Sequence, residues 1–196
     1  MPFPRNWAEE LLVEWLHLDG YLVEANLAIG VARAGGRLEV DVVGAKITRG
    51  ILEIKHVESG GLSGGESQAK RIVQTKFTRA IRRYLTIYFR KQFNFRGRFK
   101  RVKYRRIYVP TTRSGPSEES LQRNGVEVIP LDDVISTHVL KAMNRWWDTP
   151  PFKKRTPGQN TTLPEAYWLL KLIEHMYNCG LLNEKRLEPL EAKKSS

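Results

Sequence analysis

The stretch Gly36-Arg-Leu-Glu-Val-Asp-Val-Val-Gly44, with Ile51-Leu-Glu-Ile-Lys55 shortly after it, decides how this chain is read. Polar and apolar residues alternate from Arg37 to Val43, and Ile51–Lys55 has the same character. The two segments therefore read as strands joined by a turn running from Gly44 to Gly50. Taking the two glycines as symmetric about Ile47 puts Asp41 opposite Glu53 and Glu39 opposite Lys55. Opposed Cα atoms in an antiparallel pair lie about 4.5–5.5 Å apart. Residues 39, 41, 53 and 55 then share one face, Leu38, Val40, Leu52 and Ile54 the other, and His56 alternates away from Lys55.

Two carboxylates converging beside one ammonium repel each other unless a cation sits between them. A hard divalent ion, Mg²⁺ or Mn²⁺, suits such oxygen ligands and keeps several waters. Bound there, it lowers the pKa of a water and neutralises charge on a phosphate. Lys55 is then placed to hold the attacking water and stabilise transition-state charge. The same spacing also arises in a plain ladder of alternating surface charges, with Lys55 merely bridging Glu53.

Upstream, Asn6 can cap a helix whose first turn carries Glu9 and Glu10 and whose apolar stripe is Ala8, Leu12, Trp15 and Leu16. Gly20 ends that helix and Tyr21-Leu22-Val23 starts an extended segment. Downstream, Gly60-Gly-Leu-Ser-Gly-Gly65 lacks the Gly-Lys-Ser/Thr ending of a nucleotide-binding loop and reads as a mobile linker. A long helix is predicted from about Glu66 to Phe93, with Val73, Phe77, Ile81, Leu85 and Tyr88 on one face. A strand over Val102–Pro110, a short helix over Ser117–Asn124, a strand over Val126–Ile129 and a helix over Asp132–Met143 complete an α/β domain with a mixed sheet. Composition shifts at Thr149-Pro-Pro151, so residues 1–149 read as the main domain. Residues 150–196 read as a small C-terminal appendage, helical over Pro164–Cys179, with a frayed tail.

The 196 residues carry 33 Lys and Arg against 21 Asp and Glu, a formal charge of +12. The surplus is uneven, since Ser67–Ser117 holds sixteen basic residues and no acidic one. Such a surface favours a polyanion, with nucleic acid ahead of an anionic membrane. Lys76, Arg79, Arg83 and Arg90 fall along one side of the predicted long helix. With Arg96, Arg98, Lys100 and Arg101 in the following loop, they are the expected contacts to DNA phosphates. A single cysteine, Cys179, excludes an internal disulfide framework, points to a reducing compartment and reads as a packed core residue. No apolar leader precedes the first helix and no stretch approaches the ~20 apolar residues of a membrane span. A cytoplasmic protein that does not enter a membrane is expected.

The segments Glu9-Glu10-Leu11-Leu12, Gly20-Tyr21, Gly36–Gly44 and Ile51–Lys55 together resemble the PD-(D/E)XK nuclease superfamily, which includes restriction endonucleases and repair nucleases. The resemblance covers residues 6–56, and Val40 stands where the motif's leading proline would be. It implies a restriction endonuclease-like fold and a metal-dependent DNA endonuclease acting on duplex or branched DNA. By it, Asp41 and Glu53 are metal ligands, Lys55 is the catalytic lysine, Glu9 is the helix glutamate joining the ligand set, and Gln68 supports the site. It also implies a homodimer or partner proteins. The alternatives are a DNA-cleaving subunit of a transposition or repair complex, or a non-catalytic DNA-binding protein that retains the nuclease fold.

Overall fold

The computed structural model of the chain describes residues 6–33, 36–94, 97, 99–112, 114–148, 163 and 166–181. Its elements run α1 (Trp7–Leu18), β1 (Leu22–Arg33), β2 (Gly36–Thr48), β3 (Ile51–Gly61), α2 (Gly65–Lys76), α3 (Arg79–Gln92), β4 (Arg101–Thr112), α4 (Gly115–Arg123), β5 (Glu127–Val128), α5 (Leu131–Asp133), α6 (Leu140–Asp148) and α7 (Trp168–Asn178), with a π-helical stretch Val134–Val139 joining α5 to α6. The five strands form one sheet in the order β1-β2-β3-β4-β5. The first three are antiparallel neighbours, whereas β4 runs parallel to β3 and β5 parallel to β4. The chain is thus α/β, with a mixed sheet flanked by helices.

Helix α1 begins as the sequence predicts. The Asn6 side chain accepts from the Ala8 and Glu9 amides, each at 3.0 Å. Leu12, Trp15 and Leu16 are buried, packing with Val42, Val57 and Ile107 of the sheet and with residues of the C-terminal helices. On the other face Val43, Ala45, Leu52 and Ile54 meet Ile81, Leu85 and Phe89 of α3. Each Val, Leu, Ile or Phe among these, fully buried, contributes about 1.5–3 kcal/mol. A smaller cluster of Leu62, Ala69, Phe77, Tyr108, Leu121 and Val126 holds α2 and α4 beside the sheet.

The hairpin between β2 and β3 is paired differently from the symmetric arrangement about Ile47. Strand β2 continues through Gly44 to Thr48, and the reversal is the two residues Arg49 and Gly50, both at positive φ (52° and 79°). Lys46 therefore faces Glu53, Gly44 faces Lys55 and Val43 faces His56. Gly44 is a packing glycine, not a turn glycine. A Cβ there would lie 3.1 Å from Tyr21 Cβ and 3.2 Å from Leu16 Cδ1, so the strand passes close beneath α1 and a side chain would need those neighbours to give by a few tenths of an ångström.

The predicted long helix is two helices. Thr78 interrupts it by accepting the Ile81 amide on its own hydroxyl, the N-cap interaction that competes with helix continuation. Phe77 turns with the break into the α2–α4 cluster, away from Ile81 and Leu85. Gly60 and Gly61 close β3, and Leu62 is fully buried, so the glycine-rich segment begins as structure instead of linker.

Cys179 caps α7 and is exposed, which corrects its reading as a core residue. The 149/150 boundary falls outside the described residues. Beyond it, Leu169, Leu170 and Ile173 of α7 belong to the same core as α1. The buried Glu14 of α1 accepts the Leu169 and Leu170 amides at 3.3 and 2.8 Å, partnering the opening turn of α7.

Hydrogen bonds to a charged group contribute about 1.5–3 kcal/mol. Glu14→Ala is accordingly expected to cost about that much in urea unfolding and to speed amide exchange in α7 more than in β3. Equal protection of α7 in both proteins would show that this carboxylate does not dock the helix.

Candidate functional site

The pairing of β2 with β3 decides which acidic side chains meet. Lys46, five residues beyond Asp41, takes the place opposite Glu53, and a slip of an odd number moves a side chain to the other face of the sheet. One step beyond the pair Val42–Val57, Asp41 comes opposite Glu58. The Ser59 amide donates to Asp41 Oδ2 at 3.0 Å, fixing that carboxylate and leaving Oδ1 toward Glu58 and Lys76.

Lys76, the last residue of α2, reaches into this pair. Its Nζ is 2.7 Å from Glu58 Oε2 and 3.3 Å from Asp41 Oδ1, and it donates to the Glu39 carbonyl at 2.9 Å. Glu58 is 1% exposed, and its Oε2 has an ion-pair contact but no aligned hydrogen bond. Its other oxygen, Oε1, lies 2.7 Å from His56 Nε2, while His56 Nδ1 lies 2.6 Å from the Tyr104 hydroxyl. With the imidazole neutral, Nε2–H donates to Glu58 and Nδ1 accepts from Tyr104, so a buried line Tyr104–His56–Glu58 orients the carboxylate.

The electrostatics follow from two carboxylates and one ammonium. Burial first, and then the neighbouring Asp41, push the Glu58 carboxyl up to about 8, against the pull of Lys76. Burial, reinforced by Lys76, pushes His56 down to about 3, which keeps it neutral. Burial also works against the Lys76 ammonium, but Glu58 and Asp41 outweigh it and its pKa rises. Tyr108 is raised to about 12 by burial and then by Asp41 and Glu58. The site is short of one positive charge whenever both carboxylates are ionised.

Glu53 and Lys55, the expected partners of Asp41, lie on the α1 side of the sheet and do not join it. Lys55 is 6% exposed, pairs with Asp19 at 3.2 Å and lies over the rings of Trp15 and Tyr21. Burial lowers its pKa, with Asp19 opposing. Asp19 also receives Arg145 at 2.6 Å, so this cluster ties the end of α1 to β3 and α6. Glu53 pairs with Lys103 at 3.4 Å.

Glu9 is buried, with Asn6 donating at 2.7 Å and Asn26 at 3.3 Å. Asn26 lies on β1 between the pairs Ala25–Val42 and Leu27–Val40, at the position opposite Asp41, with φ of 50°. That left-handed backbone is costly for a non-glycine residue, and it turns the Asn26 side chain onto Glu9. Glu9 thus borders the Asp41 position through Asn26. Gln68 braces the corner from β3 into α2, accepting from the Gly64 amide at 2.7 Å and donating to the Gly61 carbonyl at 2.9 Å.

Among the predicted phosphate contacts, Lys76 belongs to the carboxylate site. Arg79, Arg83, Lys100 and Arg101 are exposed, while Arg90 donates to the Gly97 carbonyl and stacks near Phe99. Arg96 and Arg98 lie outside the described residues. Sequence reasoning missed Glu58, His56 and Tyr104. The signal available was Arg49-Gly50: a two-residue turn with glycine second suits a tight hairpin, and counting outward from it reaches Asp41 and Glu58 together.

Among the described residues, no group of three His, Cys, Asp or Glu side chains is arranged to hold a metal ion. Asp41 and Glu58 nevertheless suit a hard cation of the Mg²⁺ kind, which takes one or two carboxylates and completes its shell with water and substrate phosphate. The buried Oε2 without a hydrogen bond is the atom such an ion would satisfy.

A carboxyl raised in the folded state stabilises the protein below its unfolded pKa, and that contribution is lost as pH rises through the folded value. Unfolding free energy should therefore fall between about pH 4.5 and 8 by a Glu58 component on the order of a few kcal/mol. Glu58→Gln should flatten this slope in denaturant titrations at pH 5, 6.5 and 8. An unchanged slope would remove Glu58 as its source.

Compared with models of known protein families, with characterised proteins and with solved structures, the chain gives no significant match in any of the three.

Proposed function

We propose that the protein is a metal-dependent nuclease acting on DNA, with Asp41, Glu58 and Lys76 as its working residues in place of the expected set Asp41, Glu53 and Lys55. The observation that carries this reading is the opposed pair Asp41 and Glu58, sharing Lys76 at 3.3 and 2.7 Å. The basic stretch from Ser67 to Ser117, which includes Lys76, supports a polyanionic substrate.

In the reaction, Asp41 and Glu58 would hold Mg²⁺ or Mn²⁺. When bound, that ion neutralises charge on the scissile phosphate and makes the attacking water more acidic. Lys76, which pairs with both carboxylates in this structure, would then turn to the phosphate and stabilise the charge that builds on its oxygens as water adds and the P–O bond breaks. Water contributes its oxygen to the phosphorus, leaving a phosphate monoester on one fragment and a hydroxyl on the other. His56 keeps Glu58 Oε1 in place through the Tyr104 line, and Ser59 does the same for Asp41 Oδ2.

Lys76 also gives weight to a second reading. An ammonium already seated among three oxygens can substitute for the cation permanently, which would leave a non-catalytic DNA-binding protein. Metal binding separates the two. Because Glu58 holds its proton up to about pH 8, loading Mn²⁺ at pH 7 should release about one proton. Calorimetry in buffers of different ionisation enthalpy measures this, and absence of a Mn²⁺ site would favour the second reading.

For the nuclease itself, plasmid and branched DNA should be cut with Mg²⁺ or Mn²⁺. Asp41→Asn, Glu58→Gln and Lys76→Met should each lower the rate at least about a hundredfold, while Glu53→Gln leaves it within about threefold. Undiminished cutting by Glu58→Gln together with loss in Glu53→Gln would restore the originally expected set.

A further inference from the structure

Beside the carboxylate site, and sharing with it Tyr104 of the line that orients Glu58, lies an open groove of about 550 Å³. It is lined by Phe77, Thr78, Arg79, Arg82, Tyr104, Arg105, Arg106, Gly125 and Glu127. It runs along the half of β4 that β5 does not cover, since β5 pairs only with Ile107 and Tyr108.

The charge on its walls is unbalanced. Four arginines face one carboxylate, and Glu127 is already taken up by a two-oxygen pair with Arg105 at 2.6–3.1 Å. Among the described residues, Arg79, Arg82 and Arg106 have no ion pair with a carboxylate. Arg106 donates to the Asn124 carbonyl at 2.8 Å, which orients the guanidinium without neutralising it, and Arg82 stacks 5.5 Å from the Tyr104 ring centre. Arg79 and Arg82 also occupy the first turn of α3, whose positive dipole end repels them. Like charges gathered in a concave site raise the energy of the empty protein and focus potential onto an anion.

We infer that this groove seats the phosphodiester backbone of a nucleic-acid strand whose next few nucleotides pass over Asp41, Glu58 and Lys76. The inference rests on the nuclease reading for what the strand is used for, though not for its binding. Two connections place the groove relative to the site. Lys76 is followed immediately by the groove residues Phe77, Thr78 and Arg79, so the Cα atoms of Lys76 and Arg79 lie within about 11 Å. At about 3.4 Å per nucleotide, that is roughly three nucleotides. Tyr104, in the groove wall, is also the outer end of the line through His56 to Glu58. Arginine, with its fork of donors, is the side chain suited to phosphate oxygens.

The test measures binding of a 20-nucleotide DNA, single-stranded and duplex, by the whole chain without divalent metal across a salt series. Arg79→Gln combined with Arg82→Gln should weaken binding at least tenfold at low salt and reduce the slope of log affinity against log salt by about 1.5–2. Lys91→Gln with Lys141→Gln removes the same charge elsewhere and should change the slope by less than half as much. With the unaltered protein, uncharged methylphosphonates placed one at a time should weaken binding only at two or three consecutive positions, about three nucleotides from the bond cut when Mg²⁺ is added separately. Equal losses for the two variant pairs, or a methylphosphonate effect spread evenly along the strand, would overturn the groove. Tight inorganic phosphate binding without any oligonucleotide affinity would overturn it too, reassigning the site to a free anion. Localised binding without cleavage would leave the groove standing and remove the nuclease.

Discussion

The pairing of β2 with β3 through Arg49-Gly50 is the constraint on which the rest depends. It decides which face of the sheet each charged residue occupies, and the faces differ in kind. One is closed by α1, α6 and α7 over Trp15, Val42 and Val57, where Lys55 pairs with Asp19 over the rings of Trp15 and Tyr21. The other is covered by α3 along Ile81, Leu85 and Phe89, and beyond Phe77 it carries the part-exposed Asp41 and Lys76 with the buried Glu58. An odd change in the pairing would exchange these environments and leave ionised groups among leucines.

Within the open face, burial and charge work against each other. A carboxyl as enclosed as Glu58 prefers to be neutral, yet Lys76 and His56 are arranged to accept it ionised. The conflict persists because each partner is fixed from outside the site. Lys76 is placed by the break between α2 and α3 that Thr78 imposes, and His56 is fully buried against Phe77 and Tyr104. A protein that keeps a poised carboxylate pair at the cost of stability has departed from simple core packing, and such departures gather at functional sites.

Much of the architecture was legible in the residues. Asn6 and the stripe Leu12, Trp15, Leu16 gave α1, and alternation gave both strands of the hairpin, because these are local signals of capping and period. The pairing turns on which glycine makes the turn: Gly50, after Arg49, does, whereas Gly44 packs closely on Tyr21 and Leu16, a tertiary contact that the residues alone do not show. Counting Gly44 into the turn moves the partner of Asp41 from Glu58 to Glu53. Asp41, Glu9 and the basic stretch are visible in the residues as charges, but which groups they meet depends on the tertiary pairing. Glu58 and His56 follow only once the Arg49-Gly50 turn is placed, and Tyr104 could not be read at all, since its meeting with His56 requires β3 and β4 to lie parallel and β4 arrives over forty residues later.

The close passage of Gly44 beneath α1 carries a further consequence. Gly44 contributes no atom to any polar contact at the carboxylate pair and lies on the opposite side of the sheet from it. Yet a side chain at that position would press on Tyr21 and Leu16 and strain the strand that carries Asp41 three residues earlier. Tolerance to substitution along this strand is therefore set by steric room as much as by chemistry. The effect of a substitution at Gly44 is set by whether Tyr21 and Leu16 can give way, a matter of packing beneath α1 and not of distance from the carboxylate pair.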